Sequence, residues 1–170
     1  VDEAKNRGLL NLKSTVDVLP YFIADKNVEL FTKHKVFSES EIHSRYEILL
    51  ENYCKVLNIE ALTMLDIARK EIYPAVSEYI KELSQTALSK QQLIPDDCCE
   101  VEKSIVTKLS ALSSSLYKKI EALSNALLET KNYTDLLACA RFYKDTVLET
   151  MQEARVVADE MELLTDARLW

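Results

Sequence analysis

The sequence predicts an all-α fold: an elongated antiparallel bundle of three long helices, one kinked at Pro74, preceded by shorter N-terminal helices. Three observations carry that prediction. The 170 residues hold one glycine, Gly8, and three prolines, where average usage gives about 12 glycines. Folds built on glycine turns, such as dinucleotide-binding domains, P-loops and β-sandwiches, are excluded on that count. Apolar residues recur at steps of three and four over three stretches of about thirty residues, the period of one buried helix face. Hydrophobic residues at 48% and charged residues at 29% are enough for a core without metal or disulfide.

The elements follow in order. Residues 1–18 read as a helix with Ala4, Leu9, Leu12, Val16 and Leu19 roughly on one face, weakened at Gly8. Pro20 biases Leu19 away from helix and ends it there. Val28, Leu30 and Phe31 mark a short helix, and Lys33 to Val36 a connector. Ser38 and Glu41 have capping-box spacing, and Ile42, Tyr46, Leu49, Leu50, Tyr53 and Leu57 then follow a helical period. Asn58, with Glu60 in the following turn, reads as the N-cap of a new helix.

The first long segment runs from about Ile59 to Lys90 on the stripe Ala61, Leu65, Ala68, Ile72, Val76, Tyr79, Leu83 and Ala87. Pro74 inside it predicts a kink or a break. The second, from about Asp97 to Thr130, carries Val101, Ile105, Leu109, Leu112, Leu116, Ile120, Leu123 and Leu127. The third, from about Thr134 to Leu164, carries Leu136, Ala140, Tyr143, Val147, Met151, Ala154, Ala158 and Met161. Lys131, Asn132 and Tyr133 join the last two tightly, so those helices are antiparallel neighbours. Residues 101–131 have five bases against three acids, and residues 134–164 three bases against seven acids. That complementarity favours the pairing, each exposed ion pair contributing about 0–1 kcal/mol. The expected organisation is an N-terminal helix and connector over residues 1–37 and a long-helix bundle over 38–170, one structural domain in all.

Charge and sequence motifs exclude more than they identify. With 28 acids and 21 bases the net charge is −7, which argues against nucleic acid and against an anionic membrane surface as partners. No apolar run reaches the length of a membrane span and no secretory leader is read. The opening at Val1 in charged, helical sequence reads as a piece of a longer polypeptide. Cys54, Cys98, Cys99 and Cys139 show no disulfide framework and read as reduced thiols in a cytoplasmic protein. Cys98 and Cys99 follow Asp96 and Asp97 at a helix start, where the dipole and the carboxylates oppose each other, so no unusual reactivity is expected.

No catalytic, cofactor-binding or metal residue is assigned. His34 and His43 are the only histidines, and neither sits in a His-Glu-x-x-His or Glu-x-x-His pair; both read as surface or helix-flank residues. Ser113, Ser114 and Ser115 form no nucleophile elbow and read as a thin packing spot or a solvated face. Glu149 with Glu153, and Asp159 with Glu162, share helix faces near Arg155 and read as a solvated acidic surface. Tyr46, Tyr53, Tyr79, Tyr117 and Tyr143 mostly lie on or beside apolar stripes and read as core packing with the hydroxyl at the rim.

Several stretches nevertheless form a pattern. LFTKHKVFSESEIHSRYEILL (Leu30 to Leu50), NIEALTMLDIARKEIYPAVSEY (Asn58 to Tyr79) and VLETMQEARVVADEMELLTDARLW (Val147 to Trp170) stand out, with NRGLLNLKSTVDVLP (Asn6 to Pro20) ahead of them. On Phe31, Glu41, Arg45, Tyr53, Glu60, Pro74, Arg155, Asp159, Glu162 and Trp170, the chain resembles the C-terminal helical region of type III glutamine synthetases. The resemblance covers nearly the whole chain, and the helix from Val101 to Leu127 is generic within it. It implies a cytoplasmic parent enzyme, a glutamate–ammonia ligase that uses ATP and divalent metal (Mg or Mn) through a γ-glutamyl phosphate, assembled as stacked rings. Such machinery lies upstream in a glycine-containing β-rich domain, so no cofactor is expected in this segment. The expected partners are the catalytic domain of the parent and neighbouring subunits of a large homo-oligomer. The alternative is a free-standing helical scaffold or protein-interaction bundle. The surface separates the two, since a module of a larger protein leaves an apolar patch where the rest of that protein packs.

Overall fold

In a computed structural model, residues 2–170 are described and every element is helical. Helix α1 (Asp2–Asn6) is one short piece. It ends at Gly8, whose φ of 77° places it in the left-handed region, and the Leu9 N–H donates to the Ala4 carbonyl at 2.9 Å. That is the six-to-one bond of a glycine-closed helix end. The predicted continuous helix over 1–18 is therefore corrected; Val1 lies outside the described residues. Helix α2 (Thr15–Phe22) starts anew at Ser14, whose hydroxyl oxygen accepts the Asp17 N–H at 3.2 Å. Pro20 lies inside α2 rather than ending it. Val16 and Leu19 are buried in a cluster with Leu50 and Ala140, and that packing outweighs the one intrahelical bond a proline forgoes.

Helix α3 (Asp25–Lys33) closes on Lys35, a non-glycine residue with φ of 54°. The Val36 N–H reaches the Phe31 carbonyl at 2.9 Å and the Lys35 N–H the Thr32 carbonyl at 3.0 Å, the paired bonds of a Schellman motif. Helix α4 (Glu39–Ile67) opens on the predicted capping box. The Ser38 N–H donates to Glu41 Oε2 at 2.7 Å, and the Glu41 N–H to Ser38 Oγ at 3.3 Å. The three phenylalanines of this corner stack, Phe31 at 5.8 Å from both Phe22 and Phe37, and the Arg45 guanidinium lies 4.6 Å over the Phe37 ring.

Asn58 caps nothing. It lies within α4, and its Oδ1 accepts the hydroxyl of buried Tyr143 at 3.3 Å. The stripe Leu50, Leu57, Ala61, Leu65 and Ala68 is buried without interruption, so the two predicted stripes are one. At Ala68–Ile72 the helix widens to a π-turn, in which the Tyr73 N–H reaches back five residues to the Ala68 carbonyl. Helix α5 (Tyr73–Leu93) continues directly, with Pro74 in its first turn. The wider turn sits where an α-turn would press the proline ring on the Lys70 carbonyl. The helical run neither breaks at Pro74 nor restarts at Asn58. From Glu39 to Leu93 it extends about 80 Å at 1.5 Å per residue.

Helix α6 (Glu100–Glu129) returns along α5, as the pairs Lys90–Glu102, Tyr73–Ser113 and Arg69–Glu121 show by their opposite progression. Its first turn departs from the predicted stripe: Val101 is exposed, and Glu102 is buried instead. Cys99 is buried at the N-cap with φ of 49°, and Lys90 from α5 pairs with the inward Glu102 carboxylate. The Lys90 hydrogen bond holds the Glu102 carboxyl below its ordinary range and raises the lysine.

After a 3₁₀ turn at Thr130–Asn132, helix α7 (Leu136–Phe142), a second π-turn (Tyr143–Val147) and helix α8 (Leu148–Glu162) form the third long run. Lys119 of α6 meets Glu153 of α8 at 2.5 Å, realising the predicted charge complementarity. Lys144 reaches Asp17 at 2.9 Å and ties α2 to this run. The main core holds Leu65, Val76, Leu116, Leu123, Val147 and Met161, each at most 5% exposed.

Candidate functional site

The residues considered from sequence fall in scattered places. His34 and His43 are exposed. Ser113 and Ser114 bond back to the Leu109 and Ser110 carbonyls, Ser114 is exposed, and the Ser113 carbonyl accepts the Tyr73 hydroxyl at 3.1 Å. Among the tyrosines, Tyr117 is 58% exposed and leaves the stripe assigned to it. Tyr73, which sequence reasoning passed over, crosses between helices as Tyr143 does, and burial pushes its hydroxyl up to about 12.

All four thiols are free. Cys54 of α4 and Cys139 of α7 face each other, and burial pushes the Cys54 thiol up to about 12 and raises that of Cys139. Cys99 is buried, its thiol donates toward the Ala87 carbonyl at 3.4 Å, and burial raises it. Among the described residues no three His, Cys, Asp or Glu side chains converge to hold a metal ion. The described residues therefore offer no ligand set that fits the divalent metal which the resemblance implies for a parent enzyme. No helix among them is long and apolar enough to cross a membrane.

What the structure does assemble is an apolar surface. On α4, Ile48, Leu49, Val56, Ile59, Leu62 and Ile67 are each at least 41% exposed. They are separated by steps that keep most of them on one outward side of the helix. Asn52, Lys55, Thr63 and Asp66 are exposed on the same side, so the surface is apolar-rich and not an unbroken strip. It borders a groove of about 510 Å³ between α4 and α8. Leu116 and Ile120 of α6, both 1% exposed, form its floor; Ala154 and Ala158 leave it open on the α8 side. Trp170 closes one end, 40% exposed, and a second cleft continues past it over Ile72 and Pro74. The C-terminal turn that carries Trp170 is held by the Asp166 carboxylate, which accepts from the Arg168 guanidinium at 2.8 Å, and by Arg168 to Glu82 of α5 at 3.6 Å.

The groove gathers residues from distant stretches of sequence. Glu60, Arg155, Asp159, Glu162 and Trp170 all line it. Read as a solvated acidic face, Asp159 and Glu162 are exposed, as expected, and Arg155 forms an ion pair with Asp159 at 3.6 Å. Their place on the lip of an apolar groove was not visible in α8 alone, because the opposite wall comes from α4.

Comparisons with known proteins give a matching family model and several relatives. A family model described as the glutamine synthetase C-terminal domain matches residues 1–91. A glutamine synthetase of Butyrivibrio fibrisolvens is 42% identical over 164 residues, covering 96% of this chain and 23% of the relative. A type-3 glutamine synthetase of Dictyostelium discoideum is 30% identical over 176 residues, covering 98% and 23%. A glutamine synthetase of Bacteroides fragilis (strain YCH46) is 22% identical over 172 residues, covering 99% and 24%. The chain thus spans about a quarter of the length of the curated relatives it matches.

Proposed function

The chain belongs to the glutamine synthetase C-terminal domain family, and from that premise we propose that it is a non-catalytic helical module of a type III glutamine synthetase, supporting the stability of its subunit and the contacts between subunits. The longer enzyme would join ammonia to glutamate at the expense of ATP, with its nucleotide and divalent-metal sites outside these residues and with the cytoplasm as its compartment. One observation carries the reading. The α4 side from Ile48 to Ile67 exposes six large apolar residues, interspersed with Asn52, Lys55, Thr63 and Asp66, and an apolar-rich side of this kind is the surface expected where the remainder of a larger protein packs. The match to only a quarter of the relatives' length points the same way.

The test is removal of the module from a longer synthetase that carries it. The expected result is a loss of assembled particles by sedimentation. Unchanged assembly and unchanged glutamine formation would sink the proposal. The isolated chain is expected to form no glutamine from glutamate, ammonia and ATP, and turnover by it would overturn the non-catalytic assignment. A free-standing interaction bundle would instead give a chain whose apolar face is covered by self-association in solution.

A further inference from the structure

We infer that the groove between α4 and α8 receives an amphipathic α-helix flanked by lysine or arginine, which completes the three-helix arrangement as a fourth helix. The inference rests on the reading of the chain as a module of a larger protein, and names the chemistry of the segment that docks on it.

The shape argues for a helix. α4 and α8 both border α6, and they leave a trough between them whose floor is the buried pair Leu116 and Ile120. From Ile59 to Ile72 the trough follows α4 for about 20 Å at 1.5 Å per residue, or nearly four turns. Small residues on α8, Ala154 and Ala158, permit an approach at the 8–10 Å spacing of packed helices. An apolar trough lined by parallel elements is how an amphipathic helix is recognised, through anchors at i, i+3, i+4 and i+7.

The charge argues for the flanks. The groove and the cleft that continues it are bordered by five carboxylates, Glu60, Glu71, Glu78, Asp159 and Glu162, and by one guanidinium, Arg155. That guanidinium forms an ion pair with Asp159, and among the described residues no ion pair engages Glu60, Glu71, Glu78 or Glu162. A second copy offering this same groove would set carboxylates against carboxylates, which disfavours it. A cation-flanked helix brings its apolar side to the floor and its charges to the lip.

The experiment titrates the 170-residue chain with three synthetic 16-residue peptides. One has a leucine stripe at helical spacing and lysine flanks, the second the same stripe and glutamate flanks, and the third the lysine composition with the stripe scrambled. Trp170, the only tryptophan, reports entry through its emission. The expected result is affinity for the lysine peptide about tenfold or more above that for the glutamate peptide. That preference should shrink in 1 M salt, where the Debye length is about 3 Å. The double substitution Glu60→Lys with Glu162→Lys should reverse the preference, and Ala158→Phe, which leaves Trp170 the only tryptophan, should abolish binding while helicity and melting persist. Equal affinity for both flanks, binding of the scrambled peptide, or an unmoved Trp170 would each overturn the inference. So would a dimer of the chain alone that shields Trp170, because a second copy would then be the occupant. If the peptides fail while removal of the module still disrupts a longer synthetase, the docking chemistry is wrong and the module reading stands.

Discussion

Lys35 holds a left-handed conformation at the end of α3 with its side chain exposed. A side chain there costs about 1–2 kcal/mol that glycine avoids, less the flexibility glycine adds to the unfolded chain. Lys35→Gly is expected to stabilise by about 1 kcal/mol and raise the melting temperature by roughly 2–4 °C; calorimetry reads this, and a fall in melting temperature would count against the strained cap. Ser38 is the opposite case. Ser38→Ala removes the acceptor for the Glu41 N–H and should cost about 1 kcal/mol in urea unfolding. The Glu41 carboxyl lies below its ordinary value of 4.5, first because the Ser38 N–H bonds it and then because the Ser38 hydroxyl does. A lowered carboxyl contributes stability above its unfolded value and loses it as pH falls through the folded one. The stability gap between the native chain and Glu41→Gln should therefore be full at pH 7 and shrink as pH drops below about 4.5. A gap that is constant down to pH 2 would contradict the capping box. Ser38 and Glu41 were legible because a cap is a local motif. Gly8 was misjudged because a lone glycine inside a helical pattern gives no hint that the chain turns left-handed, and the Ser14–Asp17 start that follows it was masked by the apolar residues on either side.

Helix by helix, the stripes of α6 and α8 were readable because each buried face is set by residues three and four apart. Leu109, Leu116, Leu123, Val147 and Met161 are all buried as the period requires. Asn58 misled because a capping residue type outweighed an unbroken period: Leu57 and Ala61 are four apart and both buried. Val101 misled because an ion pair with α5, across twelve residues, turned Glu102 inward. Neither partner is local, so neither was in the pattern. Pro74 lies in the first turn after a π-turn, where the missing N–H matters least. Pro74→Ala is thus expected to change stability by less than about 1 kcal/mol, against about 3 kcal/mol for a proline in a regular helix interior. Chemical denaturation of the two proteins checks this; a gain of several kcal/mol would mean that the π-turn relieves nothing.

For the molecule as a whole, composition excluded the glycine-built folds, and the family resemblance anticipated the match over residues 1–91. The groove was not legible, since Glu60 and Glu162 are a hundred residues apart and come to line one groove only when α4 and α8 align. The apolar side of α4 was half legible. Leu49 was assigned inward with the stripe and is exposed, Ile48, Val56, Ile59, Leu62 and Ile67 were given to no stripe, and no period alone says whether a neighbour covers a second apolar side. The account therefore turns on whether that outer side is an interface. The most direct measurement is the sedimentation of a longer synthetase bearing Val56→Asp and Leu62→Asp, two exposed positions outside the groove. In the isolated chain these surface changes should alter stability by no more than about 0.5 kcal/mol each. In the longer enzyme the account predicts dissociation into smaller species with loss of stability. Full-sized particles of unchanged stability would contradict it.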